Sequence, residues 1–217
     1  MGLPVKALHG GSRSFGDQMA YHLKDGRAID FEANQPGRID IARFLLEKIL
    51  VQEQARPLRI IELGCGAGDI SGPYSGSAIY RQPRGGIDCD GIEVIGVDVV
   101  PAAQVACNTR WPGMTFMLQP VEEIEPIDCD ILVMCEFLEH VEKPLDIIDR
   151  WMTRARWAII GHPLDEPDPP FEPGHCWSYT EDDWVGWFQR AGFQPWEKFV
   201  FPMGTYERMV IGHGSRR

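Results

Sequence analysis

Apolar side chains at Ile39, Ile41, Ala42, Leu45, Leu46, Ile49 and Leu50 recur at helical spacing and predict an amphipathic helix over residues 39–51. A short, nearly continuous apolar run at 58–63 follows and reads as a strand buried on both faces. The alternation then repeats. Strands are predicted at 93–98, 114–118, 130–135 and 157–161, and a short helix at 101–109. Residues 180–191 predict a helix with Trp184, Trp187 and Phe188 on one face and Gly192 as its stop. Two last strands are predicted at 198–201 and 207–211. Such alternation argues for an α/β fold: one doubly wound, mostly parallel sheet of seven strands closed by an antiparallel edge strand. The whole chain, 1–217, reads as a single domain, with an N-terminal segment and helix at 1–56 and the core at 57–217.

Three stretches interrupt the pattern. Residues 1–36 are rich in glycine and charge, with an aromatic-containing piece at 15–23 that suits either a lid or an ordinary N-terminal helix. Gly72-Pro73 cuts short the helix expected after the first strand, and residues 74–91 read as a long loop, either functional or a surface insertion. The proline-rich 163–173 stretch suits a rim over a pocket or an inert connection.

Composition narrows the function classes. The 217 residues are long enough for a sizeable core, and 44% apolar residues is ordinary for a globular chain. No apolar run approaches the roughly 20 residues that span a bilayer, and no signal-peptide pattern opens the chain, so a cytoplasmic, membrane-free protein is expected. The net charge of −11 suits a phosphate backbone poorly, although Arg81, Arg84, Arg154 and Arg156 are candidates for a local basic groove. A small-molecule acceptor is therefore preferred to nucleic acid. Six cysteines without a CxxC pair read as free thiols, with neither a disulfide nor a zinc cluster.

The chemistry concentrates after the first strand. Glu62-Leu63-Gly64-Cys65-Gly66-Ala67-Gly68 places three glycines at alternate positions, where the absence of a Cβ allows a sharp turn and close approach of a ligand. The G-x-G-x-G spacing differs from the G-x-G-x-x-G of dinucleotide sites, which disfavours a nicotinamide dehydrogenase. Asp98 ends the second strand, where an acid accepts hydrogen bonds from ribose hydroxyls; a helix N-cap ahead of Pro101 is its other reading.

The glycine pattern with its preceding acid resembles motif I of the class I S-adenosylmethionine (SAM) methyltransferases. That resemblance implies a Rossmann-like methyltransferase fold and a SAM site formed by Glu62, Gly64, Cys65, Gly66, Gly68, Asp98 and Cys135. Gln119, Val121 and Glu122 would border the adenine. A turn with a solvated acidic face is the plainer reading of those last three.

Directly after the fourth strand stands Glu136-Phe137-Leu138-Glu139-His140. A helical turn beginning there would place residues 136, 139 and 140 on one face. Two carboxylates and an imidazole suit a divalent metal or an acid–base cluster. The E-x-x-E-H pattern is similar to that of ubiquinone-biosynthesis O-methyltransferases and of small-RNA 2′-O-methyltransferases. It implies Glu136, Glu139 and His140 as catalytic residues and metal ligands. His175, five residues before Thr180, matches a further ligand of the RNA-modifying branch. Oxygen and nitrogen donors point to Mg²⁺ or Mn²⁺. In a metal-free site, Glu139 would instead favour a helix N-terminus, and His140 would orient substrate. The expected activity is methyl transfer to a hydroxyl. The alternatives are an amine acceptor, an RNA ribose, and a SAM-binding subunit without catalysis.

Overall fold

The computed structural model describes residues 6–8, 36–53, 57–76, 87–168, 170, 174–203 and 207–216. The 15–23 piece and most of the 74–91 loop lie outside these residues, as do Arg81, Arg84 and four positions of the proline-rich stretch. Strand β1 is Lys6–Ala7, helix α1 Pro36–Gln52, β2 Leu58–Leu63, β3 Ile92–Asp98, α2 Pro101–Arg110 and β4 Thr115–Leu118. Then come β5 Cys129–Cys135, α3 Pro144–Trp151, β6 Ala155–Leu164, β7 Trp177–Ser178, α4 Glu181–Arg190, β8 Gln194–Met203 and β9 Glu207–Ser215.

Seven strands form one sheet in the order β4-β3-β2-β5-β6-β9-β8. The pairs from β4 through β6 are parallel, while β9 runs antiparallel to both β6 and β8. The expected antiparallel closure is thus a hairpin whose reversed strand lies one place in from the edge. Burial on both faces explains why β2 and β5 are apolar except at Arg59, Glu62 and Asp130. Ile61, Leu63, Leu132 and Met134 face a core with Ile148 and Trp151 of α3 and Trp184, Trp187 and Phe188 of α4. Ile60, Ile131 and Val133 face the opposite core, with Leu45, Leu46 and Ile49 of α1 and Cys107 of α2. Helix α4 begins on a capping box in which Thr180 Oγ1 accepts from Asp183 N and the Asp183 carboxylate accepts from Thr180 N.

Two elements lie outside the sequence expectation. Helix α3 follows Pro144 at its first turn. A two-stranded antiparallel sheet joins β1 to β7. Between β2 and β3, turns over 66–71 and a 3₁₀ turn at Gly72–Tyr74 stand where the crossover helix was expected to be short. No helix among the described residues is long and apolar enough to cross a membrane.

His162, near the end of β6, is wholly buried between the rings of Tyr179 and Trp187, and its Nδ1 donates to Pro163 O at 2.8 Å. Burial lowers its pKa to about 4. Unfolded chains protonate this histidine near 6.5, so the folded state binds fewer protons between those values. Its contribution to stability is complete above about pH 6.5 and is lost as pH falls toward 4, amounting to about 3 kcal/mol. Urea denaturation across that interval should show this loss in the wild type and a shallower one in His162→Gln.

Candidate active site

The order of the sheet reverses at β2, which lies between β3 and β5, and the carboxyl ends of these strands form the crevice where open α/β sheets bind ligands. Gly64, Gly66 and Gly68 leave β2 with φ of 68°, 50° and 78°, a left-handed backbone that side chains resist. Gly64 N and Cys65 N donate to Val97 O, tying the turn to β3. Space is short as well: a Cβ on Gly64 would lie 2.6 Å from Phe137 Cδ2.

The acids serve this turn differently. Glu62 is buried, and its Oε2 accepts from Ser71 N at 3.0 Å, closing the turn from within. Burial pushes its carboxyl up to about 8. Asp98 remains partly exposed at the mouth; Oδ2 accepts from Gly66 N at 2.8 Å and Oδ1 from Val100 N at 2.9 Å. The residue flanking α2 is Val100, so Asp98 organises the approach to the helix and the glycine turn together rather than acting as its N-cap. Gln119 N donates to Asp98 O, which places Gln119 beside this acid. Val121 is buried at the head of a 3₁₀ turn, with Glu122 half-buried next to it. Cys65 and Cys135 stand at the ends of β2 and β5, and burial pushes both thiols up, so neither is a thiolate.

Beyond β5 the structure separates the E-x-x-E-H residues. Glu136 adopts φ 53°, and what comes directly after it is a single 3₁₀ turn at Leu138–His140. The helical turn expected to align 136 with 139 and 140 is therefore absent. Instead Glu136 pairs with Arg38 of α1, both side chains being less than 10% exposed. The same helix sends Arg43 Nε to Asp69 O at 2.6 Å, so its first half lies across the glycine turn.

Glu139, His140 and His175 do come together, with ligand atoms all within 4.8 Å of one another. Cys176 N donates to Glu139 O, and Leu8 N donates to Cys176 O, so backbone pairing delivers His175 to the end of β5. The two imidazoles meet edge to face at 4.7 Å between centroids. His140 Nδ1 donates to Gly174 O at 3.2 Å, and His175 Nδ1 donates to Glu166 Oε2 at 2.6 Å. Each ring is thus anchored through Nδ1 on an oxygen acceptor. Glu139 is 0% exposed, and neither carboxylate oxygen accepts a hydrogen bond among the described residues. Burial pushes this carboxyl up to about 7, with His175 opposing the rise.

A buried carboxylate without donors, facing two imidazole nitrogens, is a donor set that a divalent cation would satisfy. Ligand atoms on one ion lie at most about 4.2 Å apart, twice a usual bond, so a side-chain-scale contraction would complete the site.

Arg38 and Glu166 are the site residues that local reading missed. Arg38 is a cation at the start of an amphipathic helix whose partner is 98 positions away, and Glu166 sits inside a proline-rich stretch. Neither carries a motif.

No family model and no curated protein matches the sequence. Solved structures do match. Magnesium protoporphyrin IX methyltransferase from Synechocystis, with bound S-adenosylhomocysteine (SAH), superposes with a TM-score of 0.70 at 16% identity, covering 94% of this chain and 99% of that one. The 1,6-didemethyltoxoflavin-N1-methyltransferase of Burkholderia thailandensis, bound to SAH and 1,6-didemethyltoxoflavin, gives 0.63 at 19% identity over 100% and 94%. The [4+2]-cyclase SpnF gives 0.58 at 10% identity over 79% of both chains. The chain thus has the Rossmann-like fold of class I SAM-dependent methyltransferases.

Proposed function

We propose that this protein is a SAM-dependent methyltransferase that methylates a hydroxyl of a small-molecule acceptor, aided by a divalent cation at Glu139, His140 and His175. The observation that carries the proposal is the placement of that cluster at the end of β5, beside a glycine turn braced by Asp98 and Gly66 N. The similar enzymes include ones solved with SAH, which supports SAM as the methyl donor. In this reading the turn at Gly64, Gly66 and Gly68 receives the methionine part of SAM, Asp98 the ribose, and Gln119, Val121 and Glu122 the adenine edge.

Methyl transfer is an in-line displacement. A bond forms from the acceptor oxygen to the methyl carbon as the carbon–sulfonium bond breaks, leaving SAH and one acceptor proton to be removed. An amine needs only to arrive unprotonated, whereas a hydroxyl needs a base or a Lewis acid; a paired carboxylate and imidazole cluster therefore favours oxygen. His140 presents Nε2 because Nδ1 is committed to Gly174 O. That lone pair would be a metal ligand with a cation bound and the proton acceptor without one. A bound Mg²⁺ or Mn²⁺ would lower the pKa of the acceptor hydroxyl. Glu136 is paired with Arg38 and is not counted among these ligands.

EDTA is expected to reduce SAH production at least about tenfold across a panel of catechols, phenols and sugars, with Mg²⁺ or Mn²⁺ restoring it. Turnover indifferent to both treatments would assign the cluster to acid–base work alone. An amine acceptor is the second reading, favoured by the similarity to an N1-methyltransferase, and is separated by identifying the methylated atom.

A further inference from the structure

We infer that Glu166 is a positioning residue that fixes the tautomer and direction of His175, so that Nε2 is the ring atom offered to Glu139 and His140. The inference deepens the proposed function by naming what prepares one of its ligands.

Glu166 is 2% exposed, and its Oε2 lies 2.6 Å from His175 Nδ1. A carboxylate can only accept, so Nδ1 carries the hydrogen, and the tautomer this contact selects has its lone pair at Nε2. The other oxygen, Oε1, is buried and accepts no hydrogen bond among the described residues. Burying a carboxylate for a single imidazole contact is expensive.

The backbone enforces the placement. Asp165, immediately before Glu166, adopts φ 55°, a left-handed conformation costing a non-glycine residue roughly 1–2 kcal/mol. Asp165 N donates to Tyr179 O at 2.8 Å, and Ser178 Oγ donates to Glu166 O at 3.0 Å. The chain leaving β6 is thereby pinned to the β7–Tyr179 segment that follows His175 in sequence. The two histidines are anchored by different acceptors, a neutral carbonyl for His140 and a carboxylate for His175. Carboxylate–histidine pairs of this kind orient metal-binding imidazoles and raise their basicity.

The test uses the full chain in wild-type, Glu166→Gln and Glu166→Ala forms, with two readouts that need neither acceptor nor turnover. Histidine side-chain ¹H–¹⁵N NMR without metal should show His175 in the Nδ1–H tautomer in the wild type and a shift toward Nε2–H in Glu166→Ala. Mn²⁺ titration followed by electron paramagnetic resonance should show affinity about 10–100-fold weaker in Glu166→Ala, with Glu166→Gln in between. SAH binding should be unchanged in both variants.

A wild-type His175 that is Nε2–H or doubly protonated would overturn the inference. So would a Glu166→Ala protein that binds Mn²⁺ as tightly as wild type and merely melts earlier, since Glu166 would then be a structural staple. A correct tautomer in a wild type that ignores Mn²⁺ would support the positioning role while removing the metal from the proposed function. If Glu166→Ala does not fold, the near-isosteric Glu166→Gln carries both readouts.

Discussion

Replacing His140 with alanine is expected to lower methyl transfer about 10²–10³-fold while changing SAM affinity less than about twofold. The asymmetry follows from the sheet. The proposed SAM site is the turn after β2 and the acid ending β3, whereas His140 belongs to the 3₁₀ turn after β5. Losing the ring removes an imidazole nitrogen from the group with Glu139 and His175, and with it, on the proposed function, either a metal ligand or the proton acceptor. Steady-state turnover and SAM calorimetry on the same preparation separate the two quantities. A parallel loss of SAM affinity and turnover would mean that the substitution had disturbed the cofactor site, and unchanged turnover would remove His140 from the chemistry.

The second large effect concerns stability. Arg38→Ala should destabilise the fold by about 3–5 kcal/mol, because it leaves the Glu136 carboxylate buried without its cation. Glu136→Ala should be similarly damaging, whereas the double substitution should be milder than the sum of the two by more than about 1 kcal/mol. Urea denaturation of the four proteins closes this cycle. Additive losses would show that the two side chains do not depend on each other. The pair also accounts for the position of Glu136: a residue with φ 53° at a strand end is held toward α1.

The parts of this fold legible in the sequence are those set by local patterning. Strand β2 was readable to the residue because both faces are buried, and glycines at 64, 66 and 68 mark a turn only small residues allow. The group of Glu139, His140 and His175 was legible through spacing and resemblance, although what brings His175 there, Cys176 N donating to Glu139 O, is a long-range bond. The alignment of Glu136 with the others failed because it assumed a helical turn, whereas Arg38 draws this side chain elsewhere. Helix α3 was missed although Pro144, Ile147, Ile148 and Trp151 carry its signal; its eight residues are brief beside the strands on either side. The β1–β7 pair has two residues per strand, too few for any periodicity. Glu166 could not be read at all, since nothing in its neighbourhood announces a histidine partner nine residues on.

Calorimetric titration of the full chain with SAH, with NAD as control, tests whether the glycine turn and Asp98 form an adenosyl site. One SAH per chain should bind at a micromolar to sub-millimolar dissociation constant, with a rise in melting temperature on saturation and no response to NAD. Absence of heat and of any thermal shift with SAH and with SAM would contradict it.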